Sequence, residues 1–420
     1  MKQLLLPITA LLFSQALLLI GHGLQLTLLP IRAAMEQFTD FQIATTGSSY
    51  FLGFVLGCLI SPHLIRRVGH IRSFAVLGSF FSALILLFDV FPNYPVWLGL
   101  RLLVGMCISG LYMIIESWLN ERASSETRGT LLSIYTVINL AMMMVGQQLL
   151  NFADPKASDL FTLAAILLSL AILPVSMTLS LQPAPLASVR LDLRKIWKLS
   201  HVGMGGALAA GLASGAFWSL GPVYAKSVGL STAQLTLFMS AAVLGGAIFQ
   251  LPFGRLSDHY DRRLVVLFLS VAGASISLLL VFLPNVGNLL LGLSFLWGAT
   301  VMTLYAICLA HATDHAQPED FTMVGSGILL VFGLSSAIGG PLASLFMSLV
   351  GSAGLFAFCA VSLLLFSIGI FFRRKAHVIP VHDETEPFRV MSDSITPMAM
   401  EMDPRTEEGH LEEFQPDQVK

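Results

Sequence analysis

The chain has 420 residues, 55% apolar and 11% charged, with a mean hydropathy of +0.79. A soluble domain carries about 25% charged residues, so there is too little charge here to cover a soluble protein of 45.4 kDa. Disordered, collagen-like and disulfide-scaffold classes fail on the same numbers. The net charge of −2 hides an asymmetry: residues 376–420 hold 11 of the 25 acidic and 3 of the 23 basic residues, which leaves 14 acidic and 20 basic, or +6, on the first 375.

A membrane-spanning helix needs about 20 mostly apolar residues. Twelve such stretches are read at roughly 8–31, 43–65, 73–92, 96–118, 130–151, 159–181, 202–225, 232–253, 264–284, 287–311, 322–349 and 353–372. They are too long, and too little alternating, for barrel strands. The expected fold class is all-α membrane, with twelve transmembrane helices in two pseudo-symmetric six-helix bundles. The first stretch lacks a small-residue cleavage site and reads as a mature helix. Loops on one side hold sixteen Lys and Arg, against Arg32, Lys156 and Lys226 on the other. The positive-inside rule then puts both termini in the cytoplasm of a multi-pass inner-membrane protein. The four cysteines fall inside spans, so no disulfide is expected.

In chain order, span one offers Gln15, His22 and Gln25 on one arc. His22 is either a proton carrier or a histidine hydrogen-bonded between helices. The loop after span two carries Arg66 and Arg67. Span four carries Arg101, Gly105, Ser109, Tyr112 and Glu116, which fall within about an 80° arc. Polar groups in a bilayer are costly and usually face a cavity. Arg101 is the one basic residue that no loop accounts for; it suits an anionic solute or a carboxylate partner, unless it snorkels to the outer surface. Beyond Asp159 at the first position of span six, the carboxylates inside spans are Asp89 and Glu116, each near an end. Span five offers Tyr135, Asn139 and Gly146, and span five begins after Arg128.

A linker at 182–201 opens with Gln182-Pro183-Ala184-Pro185 and continues as a basic stretch containing Trp197. It reads as a stop followed by a short interfacial helix. The resulting units are an N-terminal bundle (1–181), the linker, a C-terminal bundle (202–375) and an acidic tail (376–420) that composition marks as disordered. The tail could dock on the basic face of the membrane body. Span seven adds Ser214 and Trp218, and span ten adds Trp297 and Thr300. Aromatic side chains either stack on an organic solute or fill the bundle. His311 and His315 have metal-pair spacing, but no third ligand is evident and no metal is expected.

The halves repeat at an offset of 192: Leu52-Gly53 matches Leu244-Gly245, and the Pro62–Gly69 loop matches the Gly254–Asp261 loop. Such a duplication, with a site at the interface of the halves, is a transporter design. Gly254-Arg255-Leu256-Ser257-Asp258-His259-Tyr260-Asp261-Arg262-Arg263 resembles the G-x-L-x-D-R-x-G-R-R loop of the major facilitator superfamily, and Arg101-Leu102-Leu103-Val104-Gly105 resembles its R-x-x-x-G motif. The segment Glu116–Arg122 is similar to the bacterial YcaD-like branch. Two departures stand out: Arg66 replaces the loop acid of the first copy, and span five lacks the antiporter Gly-Pro signature. The resemblance implies alternating access, with Gly254, Asp258, Arg262 and Arg263 in a cytoplasmic gate. Symmetry then pairs Asp258 with Arg128, and Arg66 (beside Arg67) with Glu319 or Asp320; ordinary positive-inside charge is the alternative.

The expected function is secondary active transport of a small organic solute by a monomer. A proton would be carried by Glu116, His22 or Asp89; facilitated diffusion and drug or metabolite efflux stay open. The candidate pathway is His22, Gln25, Arg101, Ser109, Tyr112, Glu116, Asn139, Trp218, Trp297 and Thr300. No P-loop, G-x-S-x-G or CxxC motif occurs. No cofactor, enzyme activity or nucleic-acid partner is therefore expected. A membrane-embedded enzyme would need converging catalytic groups.

Overall fold

The computed structural model describes residues 2–123, 127–177, 191–283, 287–317, 320–374 and 396, excepting the side chains of 2–7, 128, 373 and 374. The start of the linker, Glu319, the Arg128 side chain and, apart from Thr396, the acidic tail lie outside this set.

Six long helices form the first bundle: α1 (Lys2–Met35), α2 (Asp40–Val68), α3 (His70–Val90), α4 (Tyr94–Arg122), α5 (Arg128–Gln148, extended by a 3-10 turn at Leu149–Phe152) and α6 (Asp159–Ser176). The short α7 (Leu193–Leu199) follows. The second bundle is α8 (His201–Ser227), α9 (Thr232–His259), α10 (Arg262–Phe282), α11 (Asn288–Thr313), α12 (Phe321–Val350) and α13 (Gly354–Arg374). Twelve of these helices are long and apolar enough to cross a membrane. Several outrun their apolar stretches, and α2, α8 and α9 begin at side-chain caps and not at the edge of the apolar run.

Those caps carry the repeat. Thr39 and Gln42 form a capping box at the start of α2, and Ser231 and Gln234 form the same box 192 residues later at the start of α9. Each box satisfies two otherwise orphaned N–H groups. The repeated glycines do equivalent work. A Cβ on Gly53 would collide with the Leu102 backbone of α4, and a Cβ on Gly245 with the Phe295 backbone of α11. Each half therefore clamps its second helix onto its fourth through a glycine that permits backbone contact.

Asp192 caps α7 by accepting from the amides of Arg194 and Lys195, and Ser200 caps α8. Ile196 is fully buried, facing Gly327 of α12, while Trp197 is exposed. The linker helix is thus anchored to the second bundle.

Hydrogen bonds between the halves gather at the end away from the basic loops. Gln148 and Asn151 donate to Ser240 and Thr236, and Ser240 donates to Gln147. The Ser48 hydroxyl donates to the Ala337 carbonyl across α2 and α12. Gly47 and Gly340 both pack on Ser219 of α8. Across the basic end, the described residues show no comparable packing of α4 on α11. The halves meet at one end and diverge toward the other.

Candidate functional site

Where the halves diverge, they enclose a cavity of about 90 Å³, roughly room for several waters or a small organic group. The first bundle contributes His22, Tyr50, Phe51, Phe54, Arg101 and Met143, and the second Trp218, Ser219, Gln250, Met302 and Phe332. Met143 reaches this position because Gly23 and Gly146 let α1 and α5 touch backbone to backbone. That contact is what occupies the place of the missing antiporter signature.

The polar wall is a chain of hydrogen bonds built on three helices of the first bundle. Arg101 of α4 is 3% exposed and donates through Nη1 to Gln25 Oε1 at 3.2 Å. With its oxygen held there, the Gln25 amide nitrogen faces His22 Nδ1 at 3.0 Å and donates to it. His22 Nε2, left as the protonated nitrogen, lies 3.1 Å from the Tyr50 hydroxyl. The guanidinium also sits 5.5 Å over the Tyr50 ring, a cation–π contact. Arg101 has no carboxylate partner among the described residues, and its buried Nε has no hydrogen-bond partner there. Burying a cation is costly unless it is paired; here its compensation is a neutral amide and a ring face. The second bundle answers with an apolar and aromatic wall, broken by Gln250 and Ser219.

Of the residues expected in the pathway, His22, Arg101 and Trp218 line this cavity, with Gln25 directly behind Arg101. Arg101 does not snorkel outward. The others lie elsewhere. Asn139 accepts from Gln15 at 2.9 Å. Trp297 stacks on Phe217 at 4.5 Å and donates to Ser277, inside the second bundle. Thr300 bonds back to its own helix. Ser109 lies against Gly57 of α2, and Tyr112 against Phe54. The stripe on α4 meets several neighbours because successive levels of one face cross different helices: α1 at Arg101, α2 at Ser109 and Tyr112, and α5 at Glu116. Asp89 is held by Arg32 at 3.2 Å at the end opposite the basic loops and does not line the cavity.

Glu116 forms a second polar centre, fifteen residues along α4 from Arg101, or about 22 Å at 1.5 Å per residue. It is fully buried. Tyr135 of α5 donates to Oε1 at 3.0 Å. The backbone N–H of Thr396 donates to both oxygens, at 3.1 and 3.0 Å, and the Thr396 hydroxyl donates to Oε2. Composition marks the tail as disordered, with docking on the basic face as an alternative. Its one described residue instead seats on an acid, because a threonine brings two donors to a buried carboxylate.

At the basic end, Asp258 pairs with Arg262 at 3.0 Å, and Arg262 reaches Asp314 at 2.9 Å, linking α9, α10 and the end of α11. Ser257 donates to the Gly254 carbonyl, and Arg263 in the first turn of α10 donates its backbone N–H to the capping Asp261. The expected partner of Arg66 is taken: Asp320 pairs with Lys195 of α7 at 2.6 Å, while Arg66 and Arg67 are exposed. The halves are apart at this end, so a linker lysine anchored on the second bundle reaches Asp320. The expected Asp258–Arg128 pair and the Glu319 alternative lie outside the described residues. His311 contacts Ser200 at 2.8 Å and stacks on His315, and no three potential metal ligands converge among the described residues.

Tyr50 and Gln250 were missed in the sequence. Tyr50 closes the polar run Thr45-Thr46-Gly47-Ser48-Ser49-Tyr50 inside span two, a signal as strong as the one used on span four. Gln250 is the one amide of the apolar span eight beyond its capping turn.

Residues 11–199 and 203–401 match the family model described as Major Facilitator Superfamily. An uncharacterized MFS-type transporter YcaD of Escherichia fergusonii is 26% identical over 347 residues, covering 81% of this chain and 89% of that protein. Among solved structures, the nucleoside transporter NupG matches with a TM-score of 0.75 at 12% identity, covering 87% of this chain and 99% of that one. The human organic anion transporter MFSD10 matches with a TM-score of 0.61 at 15% identity, covering 86% and 98%. Twelve membrane-crossing helices in two repeated bundles, a cavity between them and this family match agree: the chain belongs to the major facilitator superfamily of multi-pass membrane transporters.

Proposed function

We propose that this transporter moves a small organic solute bearing an anionic group across the inner membrane by alternating access, with both termini cytoplasmic. The observation that carries the reading is Arg101: a buried guanidinium that lines the central cavity, has no carboxylate partner among the described residues and keeps an unsatisfied Nε. A carboxylate or phosphate would supply that missing anion, and the planar guanidinium binds either through two parallel bonds. The aromatic and methionine wall from Trp218, Met302 and Phe332 suits the organic body of the solute.

Packing of the halves at the end away from the basic loops corresponds to an inward-open state, given the positive-inside orientation. Alternating access then requires the basic end to close. Asp320 would exchange Lys195 for Arg66 at that point, and Asp258 would meet Arg128. His22 and Glu116 are the candidate proton carriers of a coupled cycle; Asp89, tied to Arg32, is set aside. The chain acts as a monomer, since the pathway is complete within one copy.

Reconstituted vesicles under an imposed proton gradient test this. Monocarboxylates, dicarboxylates, organic phosphates and matched neutral analogues are compared for uptake. Anions should be taken up and the neutral analogues not, and Arg101→Gln should lose the distinction. Equal uptake of neutral analogues would sink the anion reading and favour efflux of apolar compounds.

A further inference from the structure

The donors at Glu116 come from two places, and one of them is the C-terminal tail. We infer that Glu116 is an internal docking site for the chain's own Thr396, and that this docking obstructs the cytoplasmic half of the pathway. The obstruction rests on the inward-open reading above; the docking does not.

Four observations support it. Thr396 is 1% exposed and Glu116 fully buried, so the contact lies inside the bundle and not on its surface. The carboxylate accepts from the Thr396 amide through both oxygens and from its hydroxyl, while Tyr135 holds the same carboxylate from α5. A hydrogen bond to a charged acceptor is about twice as strong as a neutral one. The reach is ample: α13 ends at Arg374 on the basic side, and the chain from there to Thr396 extends up to about 75 Å. Finally, Pro397 follows Thr396. A residue before proline is biased toward extended backbone, which leaves its N–H available to an outside acceptor. A hydroxyl and an amide donor on one residue form a chemical key that a carboxylate fits, and Glu116 sits on the same helix as Arg101, between the cavity and the basic end.

Docking is read without transport. In a chain whose native cysteines are replaced by alanine, Thr396→Cys keeps the amide donor. In detergent, its labelling by a bulky maleimide is compared with that of Thr406→Cys. Cys at 396 should label about tenfold or more slowly, and adding Glu116→Gln should remove most of that protection. Monodisperse elution of each variant controls for misfolding. Equal labelling at both positions, or protection indifferent to Glu116→Gln, overturns the docking. The obstruction is read in vesicles: Thr396→Pro, which removes both donors, should raise the initial uptake rate several-fold, and Thr396→Val less. Protection of Cys at 396 with uptake unaffected by Thr396→Pro overturns the obstruction. Absence of uptake in every variant counts against the transporter reading and leaves the labelling result standing.

Discussion

Arg101 and Glu116 lie on one helix and are both buried, yet they have solved the problem of a charge inside a membrane bundle in opposite ways. Glu116 is saturated by Tyr135 and Thr396. Arg101 is underserved by one amide oxygen and a tyrosine face. A buried charge without a counter-charge is retained only where something else compensates it. The difference assigns the two ends of α4 different work. The Arg101 end waits for a ligand from outside the chain, and the Glu116 end already holds one from within it.

The largest effect should come from removing the underserved charge. Arg101→Gln forfeits charge-assisted bonds worth about 1.5–3 kcal/mol, so affinity for the anion selected by the vesicle screen should fall about ten- to a hundredfold. Arg101→Lys keeps the charge but not the planar fork, and should fall in between. Competition binding on purified protein checks both. If Lys matched Arg, the guanidinium would be acting as a point charge, and the inference from its unsatisfied Nε would fail.

Next is the support behind it. Gln25→Leu would strip Arg101 of its acceptor and His22 of its donor, leaving two buried polar groups unpaired at about 1–3 kcal/mol each. A lower melting temperature is expected, and weaker anion binding without a change in selectivity. Unchanged stability would mean that water or Tyr50 takes over.

How far this contrast was legible in the sequence follows from what each residue needs. The twelve helices are readable because apolar length is local, and the twofold repeat because two motifs recur at one offset; the capping boxes at Thr39 and Ser231 are as local and carry the same offset, but were missed in the sequence. Gly53 and Gly245 could be matched as letters, although the contacts that require them lie on other helices. Arg101 stood out because a basic residue deep in a span is rare, and His22 and Gln25 because they share its polar logic. Tyr50, Gln250 and the Trp218 wall join the cavity only through tertiary packing. Trp297 carried the same signal as Trp218 and went into the core instead, since periodicity fixes a face of a helix but not which neighbour covers it. The Glu116–Thr396 contact spans 280 residues and has no local signature at all.

At the saturated end, Tyr135→Phe removes one of the donors around Glu116 at a cost of about 1 kcal/mol. Two readouts separate its consequences. Cys at 396 should label as slowly as before or more slowly, because the carboxylate then depends more on Thr396. A melting temperature a few degrees lower would follow from the lost bond. Faster labelling would mean that Tyr135 orients the carboxylate for the tail and does not compete with it.

The smallest expected effect concerns the basic end. Lys195 is about half exposed in its pair with Asp320, and such pairs contribute about 0–1 kcal/mol after screening. Lys195→Ala should therefore leave the melting temperature almost unchanged. Its value lies in the gate. If Asp320 changes partners when the basic end closes, then removing Lys195 frees Asp320 for Arg66 and favours closure by up to about fivefold in population. Spin labels at the exposed positions His63 and His259, one in each half, would report a larger share of short distances. Adding Arg66→Asp should cancel that shift, and Asp320→Arg in the same chain should partly restore it. A distance distribution indifferent to all three charges would leave them as ordinary loop cations and acids, and the closing contact would have to be sought in the packing of α4 against α11.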